Sequence, residues 1–310
     1  MDIKAFKMDG LGNDFVIIDQ RIHNLNLSKD QIIKICDRDF IGCDQLILIK
    51  KNSEIDAGLE FYNSDGSISG ACGNGTRCVA YLLSKENNKK EITVWTSSGL
   101  LRSNILGNNL VETEIGIPKT NWDEIPLTKN IDTGNLNIKI VDKDNRKHIG
   151  GIAINVGNPH IIFFIDDVEN YDLNKIGPEI ENHEFFPEKC NVTIAKVINK
   201  NLIKVRVWER GAGLTKACGT AACATAVAGK IIGLVENKTD VEFALGKLSI
   251  FIDEKNSIHM KGPVSDIKNL IEKKVDIEFS LGKLSIFIDT NNSIHMKGPV
   301  SDIKNIEIKI

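Results

Sequence analysis

The segment Ala217-Cys218-Gly219-Thr220-Ala221-Ala222-Cys223-Ala224-Thr225-Ala226-Val227-Ala228 decides the architecture. Wound at 3.6 residues per turn it is small and apolar on every side, with no charge before Lys230. A helix without a polar face has to be enclosed. The pattern therefore predicts a helix over Thr220 to Leu234 surrounded by strands. Lys230 and the weak hydrophobicity of alanine argue against a membrane span. The start of this segment also has an echo. Ala71-Cys72-Gly73-Asn74-Gly75 matches Ala217-Cys218-Gly219-Thr220-Ala221 at an offset of 146 residues, and each is followed by a second cysteine, Cys78 or Cys223. Two related halves, each opening a helix with a Cys-Gly turn, is the economical interpretation.

Working outward, short β-branched or alternating runs recur at Phe15 to Asp19, Gln45 to Ile49, Glu91 to Trp95, Leu136 to Val141, His160 to Ile165, Leu202 to Val207, Val241 to Phe243 and Lys247 to Ile252. These predict strands. Helical spacing is confined to Asp30 to Asp37, Thr76 to Ser84 and the segment quoted above. Many strands with few helices and no regular β-α-β-α rhythm indicate an α+β protein.

A chain of 310 residues suggests about two domains. With 42% hydrophobic residues and a net charge of −3, disorder is excluded, and no basic, aromatic-interleaved surface for nucleic acid is encoded. The first residues lack an apolar stretch of signal-peptide length, so the expected location is the cytoplasm. Seven cysteines without CxxC pairs are expected as thiols, and no metal site is predicted. Cys36, Cys43, Cys78, Cys190 and Cys223 are read as packing residues.

A second internal similarity is nearly complete. Glu242 to Asn269 recurs as Glu278 to Asn305 at a period of 36, differing only at Ala244/Ser280, Glu254/Thr290 and Lys255/Asn291. Two copies are too few for a solenoid, so a tandem duplication of a C-terminal strand pair with one redundant copy is expected. Either copy is compatible with the native position. Copy one is contiguous with the rest of the pattern, whereas copy two ends in Ile306-Glu307-Ile308-Lys309-Ile310, an alternation suited to a final strand.

The paired Cys-Gly turns carry chemistry. The first backbone N–H groups of a helix lack intrahelical partners and the macrodipole adds positive charge there, so such an end holds anions and pushes an adjacent cysteine toward thiolate. The glycine lets those amides approach a ligand closely. Two such ends face to face would offer one thiol to remove the proton α to a carboxylate and another to return it from the opposite side. The amides would stabilise the charge that builds on the carboxylate. No cofactor is demanded by that scheme.

Phe61-Tyr62-Asn63-Ser64-Asp65-Gly66-Ser67 leading to Cys72-Gly73-Asn74-Gly75-Thr76-Arg77-Cys78, with Glu209-Arg210-Gly211-Ala212-Gly213-Leu214-Thr215 leading to Cys218, resembles the diaminopimelate epimerase family. So do Gly10 to Phe15, Gly157-Asn158-Pro159-His160, Cys190-Asn191-Val192 and Met260-Lys261-Gly262-Pro263, and the resemblance covers residues 1 to about 274. It implies cofactor-independent interconversion of LL- and meso-2,6-diaminopimelate, in lysine and peptidoglycan-precursor synthesis, by a protein that is often a dimer. It also implies two pseudo-symmetric domains, each a curved mixed sheet, barrel-like, around a central helix. Their expected bounds are 1–118 and 119–263, with a strand returning to the first from about 264–274 or 300–310 and with 275–310 duplicating 239–274.

By the same resemblance Cys72 and Cys218 are the acid/base pair. Gly73, Asn74, Gly219 and Thr220 hold the reacting carboxylate. Asn13, Gln45, Asn63, Asn158, Asn191, Glu209 and Arg210 contact the remainder of the substrate, and His160 and Glu209 tune the thiols. Asn supplies donors and acceptors without charge, and Arg210 suits a carboxylate. The chain departs from the family pattern at Ala221, commonly glycine, and at the small residues 68 to 71, which concern packing more than chemistry. A proline racemase or hydroxyproline epimerase is the alternative enzyme, but those resemble Cys-Gly-His-Gly where this chain has Asn74. A catalytically silent amino-acid-binding protein is the alternative without turnover, and the presence of both cysteines argues against it.

Overall fold

The computed structural model describes residues 4–22, 25–70, 72–107, 109–269, 275–279, 282–288 and 294–297. The first half comprises β1 (Lys4–Gly10), β2 (Asn13–Asp19), α1 (Lys29–Cys36), β3 (Gln45–Lys50), β4 (Ala57–Asn63), β5 (Ile68–Ser69), α2 (Gly73–Asn87), β6 (Glu91–Thr96), β7 (Gly99–Gly107) and β8 (Leu110–Gly116). A hairpin of β9 (Ile138–Val141) and β10 (Lys147–Gly150) follows. The second half comprises β11 (Ile152–Asn155), β12 (Pro159–Phe164), α3 (Leu173–Glu181), β13 (Asn191–Asn199), β14 (Leu202–Glu209), β15 (Gly213–Thr215), α4 (Gly219–Ile231), β16 (Lys238–Phe243), β17 (Gly246–Ile252) and β18 (Ile258–Pro263).

Strand pairing repeats between the halves step for step. In the first, β1 is antiparallel to β2, β2 parallel to β3, β3 antiparallel to β4, β4 parallel to β6, and β6, β7 and β8 form an antiparallel meander, with β5 on the side of β4. In the second, β11 to β18 repeat every one of these relations, β15 standing beside β14. The halves join where β8 lies antiparallel to β18, with Thr113 opposite Met260. The pseudo-symmetric α+β arrangement predicted from the two Cys-Gly turns is thus present in the hydrogen bonding.

Each half encloses one helix. From Gly73 to Ser84 every residue of α2 is buried, packed by Phe15, Ile17, Ile47, Phe61 and Ile92 of its own half. From Gly219 to Gly229 every residue of α4 is buried, against Val205, Val241, Leu248, Ile250 and Ile258. Alanine combines the best helix propensity with the smallest girth, which lets the sheet close on the helix without cavities. No helix among the described residues is long and apolar enough to cross a membrane. No helical spacing was read for α3, which is short and contains Pro178. Its helicity is supported by packing, with Leu173, Ile176 and Ile180 all buried.

After β18 the chain returns to the first half as β19 (Lys268–Asn269), which pairs antiparallel with β1. Copy one of the duplicated segment therefore fills the position between the halves, β16 pairing with β14 and β18 with β8. In copy two, β20 (Val275–Phe279), β21 (Gly282–Ile288) and β22 (Ile294–Lys297) form a sheet of their own in the same register. Val275 opposite Ile286 reproduces Thr239 opposite Ile250, and Ser285 opposite Lys297 reproduces Ser249 opposite Lys261. The alternation at 306–310 and the alternative returning strand at 300–310 lie outside the described residues.

Candidate active site

Cys72 and Cys218 occupy equivalent positions. Each is the N-cap of an enclosed helix in extended conformation, Cys72 at φ −141° and ψ 109°, Cys218 at φ −135° and ψ 116°. The Gly75 amide donates to Cys72 Sγ at 3.4 Å, and Cys218 Sγ lies 3.4 Å from Thr220 Oγ1. The two helix starts meet across Met260. A Cβ on Gly73 would fall 2.6 Å from Met260 Cε, and one on Gly219 would fall 3.0 Å from Met260 Sδ and 3.2 Å from Asn74 Oδ1. Glycine after each cysteine lets both first turns press on one thioether, and a side chain at either position would displace the end of Met260.

A cavity of about 1210 Å³ opens between the halves and receives both sulfurs. Of the residues predicted from sequence, Asn13, Gln45, Asn63, Gly73, Asn158, Asn191, Glu209, Arg210, Gly219 and Thr220 line it with Cys72 and Cys218. Asn74 and His160 do not. Asn74 is 1% exposed, accepts from Arg77 Nη2 at 2.7 Å and donates to Asn13 Oδ1 at 3.3 Å. His160 is fully buried behind Asn158, with Nε2 2.8 Å from Asn158 Oδ1, and no hydrogen bond joins it to either thiol among the described residues.

The wall is polar and mostly pre-set. Gln45 Nε2 donates to Asn63 Oδ1 at 2.8 Å, and Asn63 Nδ2 donates to Ser67 Oγ at 3.0 Å. Gln45 Oε1 is buried with no partner among the described residues. Asn191 bridges strands, donating to the Pro159 carbonyl at 3.0 Å and accepting from the Arg210 amide at 3.0 Å. Arg210 Nη1 donates to the Glu188 carbonyl at 2.8 Å. Behind this turn, Glu181 accepts from Trp208 Nε1 at 2.7 Å and from the Gly211 amide at 3.0 Å, and Gly211 has φ +74°. Trp208 leans so closely on Gly177 of α3 that a Cβ there would lie 2.4 Å from the indole. Thus α3 fixes the Glu209-Arg210 turn through Glu181 and Trp208, residues to which the sequence assigned no role. They are separated by about thirty positions and share no motif.

Electrostatics correct one expectation. The helix starts were expected to make the thiols acidic, yet burial pushes Cys72 up to about 12, the nearby Glu209 carboxylate adding to the rise while the Gly75 amide and Arg77 oppose it. Burial likewise holds Cys218 well above the ordinary thiol value, again reinforced by Glu209 and opposed by Thr220. Removing a thiolate from water outweighs what a few oriented amides return. Glu209 is raised above the usual carboxylate range by burial, with Thr215 and Cys218 acting against it. His160 is lowered to about 3 by burial and by Arg210, so it is neutral. The other five cysteines are all buried. Cys36 and Cys43 also edge the cavity, with Sγ atoms 3.5 Å apart. No group of three or more His, Cys, Asp or Glu side chains among the described residues is placed to hold a metal.

Solved structures share this architecture. A predicted epimerase from Pseudomonas aeruginosa superposes with a TM-score of 0.61 over 87% of this chain and 99% of its own, at 12% identity. A hydroxyproline epimerase from Agrobacterium vitis does so with a TM-score of 0.61 over 85% and 90%, also at 12% identity. At that identity the likeness speaks for the fold alone. Sequence relatives narrow it. A diaminopimelate epimerase of Pelagibacter ubique (strain HTCC1062) is 79% identical over 269 residues, 87% of this chain and 98% of that protein. One from Acidiphilium cryptum (strain JF-5) is 42% identical over 260 residues, 84% and 92% of the two chains. The family model described as diaminopimelate epimerase matches residues 5–120 and 152–267, one block for each Cys-Gly turn, and stops short of copy two. With both cysteine-capped helices inside the matched blocks, the chain belongs to the diaminopimelate epimerase family.

Proposed function

We propose that this protein is an amino-acid epimerase that interconverts LL- and meso-2,6-diaminopimelate, with Cys72 and Cys218 as its acid/base pair. The observation that carries this reading is the placement of two thiols, each capping an enclosed helix, in one cavity between equivalent halves. The substrate α-carboxylate docks on the free amides that follow Cys72 and Cys218. One sulfur, as thiolate, takes the α-proton while the opposite S–H returns a proton to the other face. The first sulfur is left protonated and the second ionised, which is the arrangement needed for the reverse reaction. No electrons or groups are transferred, so the scheme needs no cofactor.

Burial of both thiols suits this task. A sulfur that resists ionisation is a strong base once ionised, and the helix-start amides then stabilise the carboxylate as charge develops on it. The distal amino-acid end is received by the wall formed by Gln45, Asn63, Asn158, Asn191 and Arg210, which fixes the α-carbon between the sulfurs and turns remote binding into rate. His160 acts by holding Asn158, and Glu209 by setting the charge near both thiols. A biosynthetic substrate of this kind supports a cytoplasmic location, and light scattering is expected to report a dimer.

The test is conversion of LL- to meso-diaminopimelate by purified protein without added cofactor, with solvent deuterium appearing at the α-carbon. Cys72→Ala and Cys218→Ala should each abolish turnover while substrate still binds. Retained epimerisation in either variant would overturn the two-thiol assignment.

A further inference from the structure

Two cysteines outside the proposed acid/base pair meet at the edge of the same cavity. Cys36 ends α1, Cys43 stands two residues before β3, and Cys43 Sγ donates to Cys36 Sγ at 3.5 Å. Both belong to a small core beneath α1 that includes Val16, Ile32 and Leu46. Both also line the cavity, beside Arg38, Asp44 and Gln45.

The turn between them keeps the sulfurs together. The Cys43 amide donates to the Cys36 carbonyl at 3.1 Å, and the Gly42 amide to the Ile35 carbonyl at 3.1 Å. Gly42 has φ +75°, and a Cβ there would fall 2.9 Å from Arg38 Cα. Lys7 Nζ donates to the carbonyls of Ile41 at 3.2 Å and Gly42 at 2.6 Å, which ties the turn to β1. With the two backbones side by side, small side-chain rotations close the sulfurs from 3.5 Å to the roughly 2.05 Å of a disulfide.

The pair is asymmetric. Cys36 is held below the ordinary thiol value by the Cys43 S–H, with Arg38 and the Leu46 amide acting in the same direction against burial. Cys43 is raised, because it is the proton donor to Cys36 and because it is buried. The thiolate is the nucleophile, which gives Cys36 the first step.

We propose that Cys36 and Cys43 are a reversible redox pair that a hydroperoxide closes to a disulfide, Cys36 reacting first. The Cys36 thiolate attacks one peroxide oxygen and the O–O bond breaks, leaving a sulfenic acid on Cys36 and an alkoxide or hydroxide that takes up a proton. The Cys43 sulfur then attacks Cys36, the S–S bond forms, the S–O bond breaks, and water leaves with the Cys43 proton. Two electrons pass from the two thiols to the peroxide. A small dithiol restores both thiols by exchange. The bridge fastens the end of α1 to the approach to β3. Neither Cys72 nor Cys218 takes part, so the outcome is independent of the proposed function.

The test uses the intact chain, reduced, desalted and exposed to a small excess of hydrogen peroxide, then alkylated with iodoacetamide and digested without reduction. Trypsin cleaves after Lys34, Arg38 and Lys50, so residues 35–38 and 39–50 should appear as one disulfide-linked pair that dithiothreitol separates. In Cys43→Ser, exposed with dimedone present, the link should be lost and Cys36 recovered as the dimedone adduct of its sulfenic acid. In Cys36→Ser, Cys43 should remain a thiol over the same exposure. Recovery of both residues as alkylated thiols, after an exposure that oxidises the unfolded chain, would overturn the proposal. A link from either residue to another cysteine would do the same, as would a dimedone adduct on Cys43 in Cys36→Ser.

Discussion

Acidification to pH 5 should destabilise this protein through His160, and the structure sets the size of the effect. The ring is fully buried, and the amide carbonyl of Asn158 accepts from Nε2–H at 2.8 Å, while Nδ1 has no partner among the described residues. The neutral Nε2–H tautomer suits that environment. The cation would place a second N–H in a site without an acceptor, and burial accordingly depresses the group to about 3. In the unfolded chain it titrates near 6.5. A depressed histidine leaves the unfolded state binding more protons, so its contribution is intact above about pH 6.5 and is lost progressively as pH falls toward 3. Integrating from pH 7.5 to 5 gives a loss of about 2 kcal/mol from this one residue. That corresponds to roughly 3 °C in Tm for a chain of this size. The assay is the difference in denaturation midpoint between those pH values for the parent and for His160→Gln, which cannot take a proton but can still donate to Asn158. His183 and the carboxylates are common to both proteins and cancel. Equal pH slopes in the two proteins would refute the reasoning.

Truncation after Lys274 removes copy two and leaves every pairing of β1 to β19 in place, so activity and Tm should match the full chain; a loss of half the activity would show that copy two contributes. Conversely Ile250→Asp, which alters the fully buried copy-one residue and spares Ile286, should abolish folding, and an active product would mean that copy two had replaced copy one. Met260→Ala opens a cavity between the two helix starts and removes the sulfur facing Arg77, for an expected loss of about 2–5 kcal/mol in urea unfolding together with a fall in kcat; a loss below about 1 kcal/mol would contradict the wedge role. Because burial raises both thiols, kcat/KM should climb between about pH 7 and 9, up to about tenfold per pH unit where one thiol must ionise, and a flat profile would contradict buried acid/base thiols.

Much of the site was legible in the sequence because it is built from local features. A Cys-Gly turn before an apolar helix specifies an N-cap, a close backbone approach and an enclosed helix within a dozen residues, and the second instance specifies the other half. The Glu209-Arg210 and Gly157-Asn158 turns are equally local, and residues from all of these segments meet in one cavity. Glu181 was missed. Its partners, Trp208 and the Gly211 amide, lie on another part of the chain, and a carboxylate in isolation reads as a surface charge.

By itself the sequence determined the two-fold plan, the enclosed helices and the pair of cysteines, since capping, helical period and side-chain volume act over a few consecutive residues. Only the tertiary structure decided which of two nearly identical 36-residue segments joins the halves. Local propensity is the same for both, and the choice rests on what copy one meets: β14, β8 and, through β19, β1. It also reversed the expected acidity of the thiols. The helix start that favours thiolate is a local property, whereas the desolvation that outweighs it exists only once both halves have closed around the sulfurs.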